Sequence, residues 1–270
     1  MHYNKRLFLF ISIACVAILF SAPLQNRAHI LACQSSASKT FPLELDHIFI
    51  WVTKGAPEIK ALTDIGLQVF GETSHHIGQG TASKTFIFEN AYLELIWIDD
   101  EQAATKNAAR TGVDMKTRAQ WKQTAASPFG VGLHYLPGKV GAAPFPVIPY
   151  WAEWMKPDTS IEFAQSVTTY KEPMFFILPA YLSVSDAALQ ELLRRNRPKV
   201  EAQGLDVKRI TEVRITTAEK KLTSTADILS RNKVVITRGG KVAVMEITFD
   251  DGKQGKKFDL RASLPLVIKY

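Results

Sequence analysis

Cysteine is nearly absent: the 270-residue chain has two, Cys15 and Cys33, and both fall in the first 33 residues. The remainder therefore has no disulfide to rely on and must hold together by its core. Acidic residues are missing from the same leader, where Lys5, Arg6 and Arg27 supply three of the seven net positive charges and leave a mild +4 for the rest. Basic clusters interleaved with aromatics are missing too. The densest basic run, Arg194, Arg195, Arg197 and Lys199, closes a predicted helix and reads as a solvated face, so no nucleic-acid partner is expected. The apolar run Leu7 to Ala22, behind the basic MHYNKR, falls short of the roughly 20 residues a spanning helix needs. It reads as an export signal or an uncleaved N-terminal anchor, and with a Ser-rich tether it accounts for residues 1–40. The segment ILAC, ending at Cys33, is a poor lipoprotein box because Arg27 and His29 precede it. The expected location is thus exported: periplasmic, secreted or membrane-anchored, touching a membrane only through this segment.

With 46% hydrophobic residues, the chain beyond residue 40 can bury a substantial core. LELDHIFIWV, Leu43 to Val52, alternates as a strand that places Leu45, His47, Phe49 and Trp51 on one face. A short helix stopped by Gly66 follows, then a strand to Phe70, the Gly-rich loop SHHIGQGTASK, a strand Thr85 to Phe88, and the strand YLELIWIDD. In that last strand Leu93, Leu95 and Trp97 share one face and Tyr92, Glu94 and Ile96 the other. Glu94 sits mid-strand in an otherwise apolar run. Unless its face is simply solvated, it needs a partner, a metal ion or a wet cavity. Residues 101–207 change to polar helices and proline-punctuated aromatic segments. The end of the chain then resembles the opening: ITEVRI lies over LDHIFI, placing Glu212 against His47, and AVMEITFDD lies over AYLELIWIDD, placing Glu246 against Glu94.

LDHIFI, HHIGQGT and YLELI, in that order, resemble the glyoxalase-like domain family of the vicinal oxygen chelate superfamily, over roughly Leu43 to Tyr270. The resemblance implies an α+β fold in which two βαβββ modules form a half-open trough. Module one would be 43–100 and module two 208–270, with 101–207 a long irregular and helical insertion. It also implies a divalent metal (Mn, Fe, Zn or Mg) held by His47, Glu94, Glu246 and Glu212. Glu94 and His76 are the candidate catalytic residues, and Gln79, Thr81, Trp151, Trp154 and Arg261 the candidate substrate contacts. The implied partner is a small molecule, and a homodimer is left open. Whether the chain is an enzyme also stays open. One reading is a metal-dependent lyase, isomerase or oxygenase acting on a small oxygen-rich molecule. The others are a non-enzymatic binding or sequestering protein of the same fold, and an envelope scaffold with a vestigial pocket.

Overall fold

The computed structural model describes residues 41–139, 141–187, 190–191, 194–195 and 205–270. The expected export segment and tether, with Cys33, lie outside the described residues. Among the described residues, no helix is long and apolar enough to cross a membrane. The fold is α+β and dominated by sheet.

The first strand, β1 (Leu43–Trp51), is followed by α1 (Ile59–Thr63), β2 (Phe70–His76), β3 (Thr81–Ile87) and β4 (Tyr92–Ile98). Three helices come next: α2 (Glu101–Thr111), α3 (Met115–Ala119) and α4 (Trp121–Thr124). Asp100 caps the start of α2 by accepting the Ala103 N–H at 2.9 Å, and Gly112, at φ +73°, closes its end in the left-handed region. Four more strands complete one sheet: β5 (Phe129–Tyr135), β6 (Val147–Tyr150), β7 (Ile161–Ala164) and β8 (Met174–Ile177). The order across it is β2-β3-β4-β1-β5-β8-β7-β6. Each half repeats one plan: the first strand runs parallel to the fourth (β1 with β4, β5 with β8), while the fourth and third, and the third and second, pair antiparallel. The halves meet along the antiparallel β1–β5 seam.

The remaining strands form a separate five-stranded sheet. These are β9 (Ile210–Thr217), β10 (Ile236–Gly239), β11 (Val244–Phe249), β12 (Lys257–Asp259) and β13 (Leu266–Lys269), with α5 (Ser224–Arg231) between β9 and β10. Their order is β10-β9-β11-β13-β12. This differs from the division expected from sequence. Residues 129–177, read as part of an insertion, complete the eight-stranded sheet, whereas β9 lies between β10 and β11 in a plan unlike that of β1. The overlay of Glu212 on His47 and Glu246 on Glu94 matched strands of different topology. It succeeded because any half-exposed strand alternates.

One face of the eight-stranded sheet packs on the five-stranded sheet. Ile48, Ile50, Leu93, Leu95, Phe129, Val131 and Leu133 share a core with Val213, Ile215, Met245, Ile247, Leu266 and Ile268. Asn90 joins the sheets further, donating to the Ile210 carbonyl at 2.8 Å and accepting the Ile210 N–H at 2.9 Å. The opposite face builds a second, aromatic core from Phe49, Trp51, Tyr150, Phe163 and Phe176. Central strands buried on both faces explain why β1 and β4 read as nearly continuous apolar runs.

Candidate functional site

Alternation sets the site. On β4, Leu93, Leu95 and Trp97 enter the inter-sheet core, so Tyr92, Glu94 and Ile96 face the other way and line a cavity of about 180 Å³. On β1, His47, Phe49 and Trp51 face the same cavity. Parallel pairing sets His47 beside Tyr92 and Phe49 beside Glu94. Leu45 does not share their face as strict alternation predicts. The register slips between Leu45 and His47, and Leu45 packs on the inter-sheet core. Across the seam, β5 presents glycine to these rings. A Cβ at Gly130 would stand 2.1 Å from the Phe49 ring, and one at Gly132 would stand 2.5 Å from His47 Cε1.

His47 is held on several sides. Its ring stacks on Tyr92 at 4.3 Å and meets the edge of Phe176 at 5.3 Å, and its Nδ1 lies 2.8 Å from Asp46 Oδ1. Asp46 is fully buried. Its other oxygen accepts the Val184 N–H at 2.8 Å and the Ser183 hydroxyl at 2.9 Å. His134 Nδ1 lies 3.0 Å from that oxygen, and its Nε2 sits 2.8 Å from Glu44 Oε1. Burial works to raise the Asp46 pKa, but His134, His47 and the Val184 N–H together hold it well below the ordinary carboxylate range. For His134 burial works to lower the pKa. Asp46 and then Glu44 outweigh it and leave the imidazole raised.

Glu94 is the unusual member. It is only 8% exposed, faces the cavity, and makes no hydrogen bond or ion pair with the described residues. Beside it, Gln79 ties the wall together. Its Nε2 donates to Thr81 Oγ1 at 2.8 Å, and its Oε1 accepts from Trp154 Nε1 at 3.1 Å and from the Tyr150 hydroxyl at 3.0 Å. Thr81 Oγ1 lies 2.8 Å from His76 Nδ1. Thr81 Oγ1 thus links Gln79 and His76 in one hydrogen-bonded chain. Burial depresses the His76 pKa, against the pull of Glu94, so the neutral form is favoured. The glycines of HHIGQGT serve the turn. The N–H groups of Gln79 and Gly80 both donate to the His76 carbonyl, and a Cβ on Gly80, at φ +78°, would strike the Ala104 nitrogen and the Asp100 carbonyl at 2.4 Å. Those two N–H groups are not available to cradle an anion.

The cavity therefore gathers His47, Glu94, His76, Gln79 and Trp154, with Thr81 bonded behind them. Trp151 stands outside, 36% exposed, with the Arg110 guanidinium 5.6 Å from its ring centre. Arg261 is ion-paired to Asp259 at the edge of the five-stranded sheet. Glu212 is bound by Arg214 at 2.6 Å and Glu246 by Lys269 at 2.6 Å, both on that sheet and neither lining the cavity. As metal ligands beside His47 and Glu94, these two are corrected. They belong to the half-exposed side of another sheet, where charge is ordinary. Sequence reasoning missed Asp46, Tyr92, Phe163 and Phe176. Asp46 had a signal, an acid beside the histidine in LDHIFI. The two Phe residues had little, since β7 and β8 are four residues each.

Residues 45–131 match the family described as glyoxalase-like domain. That span is glyoxalase-like. It covers β1 to β4 and the start of β5, which is where LDHIFI, HHIGQGT and YLELI lie. No curated protein matches the chain. A solved structure titled as a hypothetical protein from Staphylococcus aureus resembles it with a TM-score of 0.51 at 14% identity, covering 84% of this chain and 99% of that one; this is likeness of fold alone. Members of the superfamily that this span resembles often hold a divalent metal. On β5 and β8, the strands that correspond to β1 and β4, Gly130 and Gly132 face His47 and Phe49 while Met174 and Phe176 line the cavity, and none of these has a side chain suited to Mn, Fe, Zn or Mg. Only His47 and Glu94 remain at the expected strand positions. Among the described residues, no three His, Cys, Asp or Glu side chains are grouped to hold a metal ion. The residues present do not fit the metal.

Proposed function

We propose that the eight-stranded sheet of this glyoxalase-like protein is a half-open trough, built from modules at 43–98 and 129–177, that binds a small and largely apolar molecule without a metal ion. The observation that carries this is the composition of the cavity. Its walls are aromatic and aliphatic, with a few convergent polar groups at one end, as small-molecule sites generally are. The strand plan, repeated about the β1–β5 seam, supports the trough. The donor set weighs against the metal-dependent lyase, isomerase or oxygenase, because the second half replaces the implied ligands with glycine, methionine and phenylalanine. The role is binding or sequestration, carried out by an exported protein if the leader acts as its sequence suggests.

The test uses tryptophan fluorescence, since Trp51 and Trp154 line the cavity. Benzyl alcohol, titrated into the protein in the presence of a chelator, should change the emission saturably. Leu182→Trp, at the half-buried rim of the cavity, should block that change. A linear, unsaturable response in the parent, or one untouched by Leu182→Trp, overturns the proposal.

A further inference from the structure

Among the described residues Glu94 has no hydrogen-bond or ion-pair partner, and its carboxylate faces a largely apolar cavity, a setting in which a cation is the natural complement. Among the described residues that line the cavity there is no lysine or arginine for it, and the ionisable lining consists of His47, His76, Tyr92, Tyr150 and Glu94. His76 is held toward its neutral form by burial. Tyr92 is fixed as the neutral phenol, because burial, with Asp46 and Glu94 adding to it, raises its pKa well above the ordinary value. Burial likewise raises the Tyr150 hydroxyl well above its ordinary value. His47 Nδ1 is already engaged by Asp46 at 2.8 Å.

The surrounding surface suits a cation as well. Tyr92, Phe49, Trp51, Phe163 and Phe176 turn aromatic groups toward the cavity, and their negative ring faces attract an ammonium while accommodating hydrocarbon. A carboxylate or phosphate ligand would meet the opposite conditions: a like charge at Glu94, no basic side chain, and turn N–H groups already engaged. We infer that the trough selects a compact organic ammonium, with the N–H groups of an aryl- or alkylamine bonding to Glu94 and its apolar body filling the aromatic end. This rests on the trough reading above and gives it a ligand class.

The experiment compares three probes of one shape at pH 7 with the full chain: benzylamine, which is protonated, benzyl alcohol, which is neutral, and benzoate. Benzylamine should bind about ten-fold more tightly than benzyl alcohol, the size of one charge-assisted hydrogen bond, and benzoate should bind most weakly. Glu94→Gln keeps the shape of the side chain and should abolish the preference for benzylamine over benzyl alcohol. Because the three probes are ranked in the parent protein, the result stands even if that variant does not fold. Benzyl alcohol binding as tightly as benzylamine overturns the ammonium assignment but leaves the trough reading intact. Failure of all three probes to bind saturably overturns both.

Discussion

The ring of His47 on β1 occupies the space that a side chain at Gly132 on β5 would need, with a Cβ there falling 2.5 Å from His47 Cε1. In the plan of the sheet, Gly132 is where the second half would offer a ligand or a wall to the trough. It instead makes room for the imidazole that Asp46 and Tyr92 hold. The seam is therefore asymmetric: chemistry lies on the β1–β4 side and an apolar wall on the β5–β8 side.

Gly132→Ala should cost about 1 to 3 kcal/mol by overpacking and should displace His47 from its stack on Tyr92. Gly141→Ala, where an added Cβ meets nothing within 4 Å, should stay within about 0.5 kcal/mol of the parent. Urea unfolding of both variants checks this. Equal stabilities would remove Gly132 from the account of the seam.

His134 gives a pH signature with a definite sign. Its folded-state pKa is raised above the ordinary value near 6.5, burial being outweighed by Asp46 and then Glu44. Its contribution is therefore full below about 6.5 and lost as pH rises through the folded value. The stability gap between the parent and His134→Gln should be widest near pH 6 and narrow toward pH 9. A gap that widens instead would contradict the Asp46–His134 pairing.

Arg118 should be among the most sensitive positions outside the trough. It is fully buried, and its guanidinium donates to the carbonyls of Glu172 at 2.7 Å and Val167 at 2.8 Å, with longer bonds to Thr169 and Tyr170, pinning the segment between β7 and β8. Arg118→Met should cost about 2 to 4 kcal/mol by leaving those carbonyls without a donor. Arg118→Lys should recover little of this, because one ammonium cannot reach around the same arc. The measurement is the denaturation midpoint of each variant.

The first half of the site was legible because its strands are long and patterned. The Leu93, Leu95, Trp97 face and the Tyr92, Glu94, Ile96 face separate as alternation requires, and His47 reaches the same cavity as Glu94. The second half was hidden. β6 contains Pro149, β6 to β8 are four residues each, and on β5 the cavity face is written in Gly130 and Gly132, which carry no polarity to count. Its pairing with β1 is a long-range contact without local signal. The five-stranded sheet misled for the opposite reason. Its strands alternate cleanly because one side is wet, and Glu212 and Glu246 follow that pattern while pairing with Arg214 and Lys269. The HHIGQGT loop was legible through its polar residues: His76 and Gln79 line the cavity, with Thr81 bonded to both.

Metal stoichiometry, measured together with ligand binding, bears most directly on whether the trough works alone. The protein is purified anaerobically, equilibrated in turn with Mn²⁺, Fe²⁺, Zn²⁺ and Mg²⁺, freed of excess ion, and analysed beside a His47→Ala, Glu94→Ala double variant. The expected outcome is far less than one ion per chain in both proteins, with the parent still binding benzylamine saturably in the presence of chelator. One ion per chain in the parent, absent from the double variant and required for the amine to bind, would show that His47 and Glu94 are metal ligands and would contradict a metal-free trough.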